Sequence, residues 1–367
     1  MSRVLDTFLD LVRIPSPTGR EAGVAAYVAD ALREAGCAVR VDDTREATGA
    51  DTGNVIADVP GSLGGGTIAL SAHMDCVQPC EGVEPVVSGG VVRSAGETVL
   101  GGDDKVGLAA IIEAVRRLAE QGGEHRPLKL LLTVSEEAGL LGAKAIAPAD
   151  AAAALCLVLD ADGPVGGIVV GAPSHHTFTA TFTGRAAHAG VEPEKGISAI
   201  TMAADAISRM RLGRIDPHST ANIGSINGGT ATNVVAPSCV LTGECRSLDT
   251  AFAEAIRADM DAAMADAAAA AGGSVSVEWE HAYPGFTAPA DSPEVRLVER
   301  SCAAIGVESR TYTTGGGSDA NVFAGYGVPT LVLGTGMTNV HSTDECLEVL
   351  QLERLADLLV AIARTPE

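Results

Sequence analysis

The sequence predicts a discontinuous α/β domain with a mostly parallel sheet, interrupted by a small α+β sandwich of order β-α-β-β-α-β. Three observations carry this. Residues 37–160 alternate short leucine-rich or β-branched runs with alanine-rich helical stretches, the pattern of a layered parallel sheet. Residues 176–183 switch to strict two-residue alternation, which marks a strand with one wet face. The first texture then returns after about residue 285.

In chain order, residues 67–71 read as a strand, and the glycines of 61–66 as the turn before it. Residues 105–121 read as a helix, because Leu108, Ile111, Ile112, Val115 and Leu118 share one face and Gly122-Gly123 stops it. Residues 130–134 and 155–159, rich in Leu and Val, read as strands buried on both faces. In the insert, a helix carries Ile197, Ile200, Ala204 and Ile207, and strands follow at 221–226 and 234–246. A second helix spans about 249–271 and a strand 274–280, which completes an open-faced sandwich. A helix at 295–305, a buried strand at 329–333 and a terminal helix at 350–362 close the outer domain. The expected boundaries are therefore 1–173 with 285–367 for the outer domain and 174–284 for the insert.

At 367 residues the chain exceeds one ordinary core, so two domains are expected. Hydrophobic residues make up 46% but aromatic residues only 3%, so aliphatic side chains must fill the cores. No apolar run is long enough to span a bilayer, and acids within the first dozen residues are wrong for a secretory signal; a cytoplasmic enzyme is expected. A net charge of −22 argues against nucleic acid or an anionic membrane as partner, since both require clustered cations. The eight irregularly spaced cysteines are no disulfide framework. Cys76 and Cys80 have a spacing that can bind zinc, but with no second pair nearby they read as small buried thiols.

The chemistry-bearing residues gather at strand ends. His73 and Asp75 follow the strand at 67–71 on one side of the chain, so the carboxylate can orient the imidazole toward a metal. Asp103, before the helix at 105, reads by itself as an N-cap. Glu136-Glu137 come directly after buried residues 130–134, and Asp160 ends the next strand. His341 follows the strand at 329–333 across a glycine-rich connection. Open α/β sheets build their sites at the carboxyl ends of strands, so these residues form one expected cluster. Two His and three carboxylates suit two divalent ions, zinc first and manganese or cobalt as substitutes, with Asp103 shared. Two ions about 3.5–4 Å apart can hold a bridging water and polarise a carbonyl. Glu136, beside the ligands but off the metals, is the expected general base.

His73-Met74-Asp75, Gly102-Asp103-Asp104-Lys105, Glu136-Glu137-Ala138-Gly139-Leu140, Asp160 and His341, in that order, resemble the di-zinc metallopeptidase family. That family contains peptidase T, glutamate carboxypeptidase, aminoacylase and succinyl-diaminopimelate desuccinylase. Gly102-Asp103-Asp104-Lys105 and Gly315-Gly316-Gly317-Ser318-Asp319 resemble the peptidase T-like branch. The resemblance implies hydrolysis of an amide bond in di- or tripeptides, with Asp75 orienting His73, Asp103 bridging and Glu136 as base. It implies that Glu137, Asp160 and His341 complete the ligands, and that the insert forms a homodimer in which His188 reaches the partner's site. Asn233 and Arg246 match substrate-contacting positions, and the loop with Gly316 and Gly317 is a further candidate. Residues read alone, His188 is a surface histidine. His125, His175, His176, His218 and His281 fit no motif and read as surface or structural.

An N-acyl amino acid amidohydrolase uses the same metals and base with a different acyl pocket, and a carboxypeptidase is a third reading. Arg246 and the loop at 315–319 can each bind a carboxylate, which keeps these open. Outside enzymes, an inactive metal-binding scaffold would be expected to lack the base, the bridge or the orienting acid, and all three residue types are present.

Overall fold

The computed structural model describes residues 2–366 and divides into two compact units. The first comprises Met1–Gly171, Thr287–Thr313 and Ser318–Glu367; the second comprises Ala172–Phe286 and Thr314–Gly317. The four residues Thr314–Gly317, which the sequence reading kept with the outer domain, group with the insert.

The first unit is organised on a mixed sheet. Its strands run in the order Ala38–Val41, Val55–Val59, Leu128–Thr133, Ile68–His73, Leu155–Ala161, Thr330–Gly334 and Gly167–Ala172. The central pairings, Ile68–His73 with both neighbours and Leu155–Ala161 with Thr330–Gly334, are parallel; the two outer pairs on the Ala38 side are antiparallel. Leu70, Leu130, Leu132, Leu157 and Leu331 are buried in this core, each contributing about 1.5–3 kcal/mol of burial energy. The helix Gly102–Gln121 packs its Leu108, Ile111, Ile112 and Val115 into the same core and ends at Gly122, whose φ of 61° suits glycine.

Two N-terminal helices, Arg3–Arg13 and Ala22–Glu34, were not foreseen. The first buries Val4, Leu5, Phe8, Leu11 and Val12 at helical spacing, and Arg3 pairs with Glu113 of the long helix. A small antiparallel sheet of Pro85–Ser88, Val91–Ser94, Met337–Thr338 and Cys346–Glu348 was also missed, because its strands are two to four residues long.

The second unit is a five-stranded antiparallel sheet with the helices Ala199–Arg209 and Thr250–Ala271 packed against it. Ser174–Thr183 buries Phe178, Ala180 and Phe182 and turns Thr179 and Thr183 outward, as its alternation requires. Asp249 caps the longer helix by accepting from the amides of Ala251 and Phe252. The structure adds a short edge strand, Gly213–Asp216, to the six elements read from sequence. It also starts the strand expected at 234 only at Ser238, since Val234 and Val235 pair instead with the His188 loop.

Candidate active site

The carboxyl ends of three adjacent strands, the start of the helix Gly102–Gln121 and one long connection bring six predicted residues together within the first unit. His73 is the last residue of Ile68–His73, Asp160 lies near the end of Leu155–Ala161, and Glu136 and Glu137 follow Leu128–Thr133. His341 arrives on the loop after Met337–Thr338, with a left-handed φ of 61°. A histidine held there costs on the order of 1–3 kcal/mol, which the surrounding contacts must offset.

Asp103 sits between the two histidines. Its Oδ1 is 3.0 Å from His73 Nε2 and its Oδ2 is 3.1 Å from His341 Nε2. His341 Nε2 also lies 2.9 Å from Glu137 Oε1, and His73 Nε2 lies 3.8 Å from Asp160 Oδ1. Asp103 is in the first turn of Gly102–Gln121 but has non-helical φ and ψ, and the side chains that accept amides at that helix start are those of Glu345 and Asp104. The capping role that its sequence position suggests is therefore not the one its carboxylate has.

Asp75 is fully buried and holds the arrangement from behind. His73 Nδ1 faces the Asp75 carbonyl at 3.0 Å and the Asp75 carboxylate at 3.3 Å, which directs Nε2 toward the acids. The carboxylate accepts from Thr18 Oγ1 at 2.8 Å and from the consecutive main-chain amides of Glu136 and Glu137 at 2.9 and 3.2 Å. Burial alone would raise the Asp75 carboxyl, yet His73 and these donors hold it below its ordinary value.

The electrostatics of the cluster fit cations. Burial, reinforced by Asp103 and Glu136, drives the Asp160 carboxyl well above its ordinary range. Burial does the same to Glu136; His73 opposes it and Asp319, Glu137 and Asp103 add to it. Hydrogen bonding to Asp103 and Glu137 lifts His341 to about 10. Imidazole nitrogens and carboxylate oxygens crowded together in this way form a donor set for divalent metal. Two groups have ligand atoms within 4.8 Å of one another: His73 with Asp103 and Glu137, and His73 with Asp104 and Asp160. Asp104 has another task, since its Oδ2 accepts the His73 amide at 3.3 Å and its Oδ1 the Gly107 amide at 3.2 Å. Neither of these groups contains Cys76 or Cys80, which are buried free thiols packed with Val99.

Three bracing residues escaped the sequence reading. Glu345 accepts the amides of Gly101 and Asp103 at 2.8 and 3.0 Å and so fixes the turn that presents Asp103. Asp319 accepts from Thr133 Oγ1 and is raised to about 6 by burial, with the Thr133 bond opposing. Glu21 binds the turn before Glu136. Glu345 has a local signal in its position four residues after His341, and Asp319 in the motif it ends; Glu21 has none.

The remaining predicted residues belong to the second unit. His188 is exposed on a loop bridged to Val234, and its Nδ1 accepts from the Gly190 amide at 3.2 Å. Asn233, also exposed, accepts the Ala189 amide through its carbonyl. Arg246 makes two bonds to Glu244, at 3.2 and 3.0 Å, and one at 3.4 Å to the Gly315 carbonyl. The Gly316 amide donates to Thr314 Oγ1, and a Cβ on Gly317 would lie 2.3 Å from the Tyr283 ring, so only glycine fits there.

Residues 69–365 match the model of peptidase family M20/M25/M40. The chain belongs to this family. Among M20 relatives, the uncharacterized protein YqjE of Bacillus subtilis (strain 168) is 45% identical over 360 residues, covering 98% of this chain and 97% of its own. The crystal structure of aminopeptidase PepT from Bacillus cereus ATCC 10987 superposes with a TM-score of 0.94 at 42% identity, covering 98% and 97% of the two chains. That of a tripeptidase from Staphylococcus aureus subsp. aureus mu50 gives 0.95 at 36% identity, covering 99% and 97%. This M20 chain is thus a peptidase whose nearly full length resembles aminopeptidase and tripeptidase structures. No helix among the described residues is long and apolar enough to cross a membrane.

Proposed function

We propose that the chain is a metal-dependent aminopeptidase that cleaves short peptides, tripeptides foremost, from a free amino terminus. The observation that carries this reading is the gathering of His73, Asp103, Glu137, Asp160 and His341 around a buried Glu136 in a chain so similar to two such peptidases. Those five residues would hold two divalent ions, zinc being the best match to two imidazoles among carboxylates. When bound, the ions supply Lewis-acid polarisation and charge stabilisation. Glu136 takes a proton from the attacking water as its oxygen adds to the scissile carbonyl carbon. As the C–N bond breaks, Glu136 gives that proton to the leaving nitrogen. Asp75 keeps His73 in one tautomer and fixes the Glu136 main chain. Arg246, Asn233, Gly316 and Gly317 contact substrate in this reading. A panel of di- and tripeptides with free or blocked termini, together with N-acetyl amino acids, tests it with zinc, manganese or cobalt present. Free-amino tripeptides should turn over fastest; preference for N-acetyl amino acids would favour the amidohydrolase reading, and dependence on the carboxyl terminus alone the carboxypeptidase one.

The proposal includes an isologous homodimer built from the insert, in which His188 serves the partner's site. An exposed histidine on a loop, braced by Val234 and outside any core, suits a donor aimed at a transition-state oxyanion. Losing one such donor typically costs about 10²–10³ in rate, and His188→Ala should lower kcat by that much with metal content unchanged. Mixing His188→Ala chains with Glu136→Gln chains should restore part of the activity, because one site per heterodimer then has both groups. A fully active monomer, or no recovery in verified heterodimers, would refute the shared site.

A further inference from the structure

The loop after the first helix carries a buried acid with no part in the chemistry described so far. Glu21 is fully buried, and its Oε1 accepts three hydrogen bonds: from the Gly19 amide at 2.8 Å, the Ser135 amide at 3.1 Å and Ser135 Oγ at 3.2 Å. Its Oε2 is buried with no hydrogen-bond partner among the described residues. Burying a carboxyl with one oxygen idle is costly, so the contacts of the other oxygen must justify it.

Two of those contacts hold one residue in an unfavourable conformation. Ser135 has φ of 53°, the left-handed region that residues other than glycine rarely enter unless their surroundings over-determine it. The consequence falls on the next two residues. With Ser135 turned this way, the consecutive amides of Glu136 and Glu137 both donate to Asp75, forming a small anion-binding nest. The same loop reaches Asp75 directly through Thr18, and the Cys76 amide donates to the Ser16 carbonyl at 2.9 Å. Residues 16–21 thus tie the strand end bearing His73 to the turn bearing Glu136.

We infer that Glu21 is a positioning residue: it clamps Ser135 in the left-handed conformation and so sets where Glu136 stands relative to Asp75. This rests on the reading of Glu136 as the base. Glu21 touches no substrate in this account, and its effect passes through the Ser135 main chain. Substituting glycine for Ser135 removes the penalty the clamp offsets, so the two positions should be coupled.

The test compares wild type, Glu21→Ala, Ser135→Gly and the double variant as full-length, metal-loaded protein. Glu21→Ala should lower kcat by about 10–100-fold, with a much smaller change in KM and normal metal content. Adding Ser135→Gly should make the double variant several-fold faster than Glu21→Ala. A general loss of folded protein would not give this pattern, since a second substitution would then add to the damage. Should Glu21→Ala fail to fold, Glu21→Asp keeps the charge but withdraws it by one methylene, and the same rescue is expected. The metal-free proteins give a second reading independent of turnover: Glu21→Ala should unfold at a lower temperature than wild type, and the double variant between them. A double variant no faster than Glu21→Ala, or one that unfolds no higher when metal-free, overturns the clamp. Glu136→Gln assayed alongside reads the base assignment separately, because the coupling in unfolding temperature does not depend on it.

Discussion

Replacing Glu136 by Gln should lower kcat by about 10²–10⁴, the usual worth of a positioned general base, while the protein keeps its fold and its metal. The amide has the shape of the carboxyl but cannot take up the proton of water. The main-chain bond from residue 136 to Asp75 is unaffected, so the turn and the His73 orientation should survive. Burial raises the Glu136 carboxyl, with His73 opposing and Asp319, Glu137 and Asp103 adding, so the metal-free fold already favours a neutral group there and accepts an amide of the same shape. Its unfolding temperature should therefore not fall. Rate measurements with metal content determined on the same samples check this. A variant that loses metal yet retains catalysis once metal is restored would mean that Glu136 and Glu137 have exchanged roles.

Exhaustive chelation should abolish turnover, and divalent metal should restore it with about two ions per chain at saturation. Stability should follow. Asp103 lies between His73 and His341, and Asp160 and Glu137 stand close by, so the folded chain gathers ligand atoms that the unfolded chain scatters. A ligand that binds only the folded state adds about 4 kcal/mol when free at roughly a thousand times its dissociation constant, so metal should raise the unfolding temperature. Full activity and an unchanged unfolding temperature in metal-free protein would remove the two-metal proposal.

Much of the fold was legible because its strands are apolar on both faces or alternate strictly. Residues 130–132, 155–159 and 331–333 are apolar on both faces, and Phe178, Ala180 and Phe182 alternate with threonines in Ser174–Thr183. Short strands such as Met337–Thr338 carry no period at all. The placement of His73, Glu136, Glu137, Asp160 and His341 was legible from strand ends and from order along the chain. What was hidden depends on contacts that sequence spacing does not encode. Glu21 meets Ser135 across 114 residues, and Glu345 meets Gly101 across 244. Glu21 and Glu345 both lie in polar stretches where a solvated surface is the simplest expectation. Asp103 lies at no strand end: its position alone suggests a helix cap, its order among the other candidate ligands suggests the shared one, and its carboxylate stands between two distant histidines.

The most direct test of aminopeptidase action compares kcat/KM for one tripeptide, with free and with acetylated amino terminus, on the metal-loaded enzyme. A site that recognises the ammonium should reject the blocked peptide by about 10²-fold or more, because its polar partners would be left unpaired. The expected result is rapid release of the first residue from the free tripeptide and negligible cleavage of its acetylated counterpart. Equal or faster cleavage of the acetylated peptide would contradict the account.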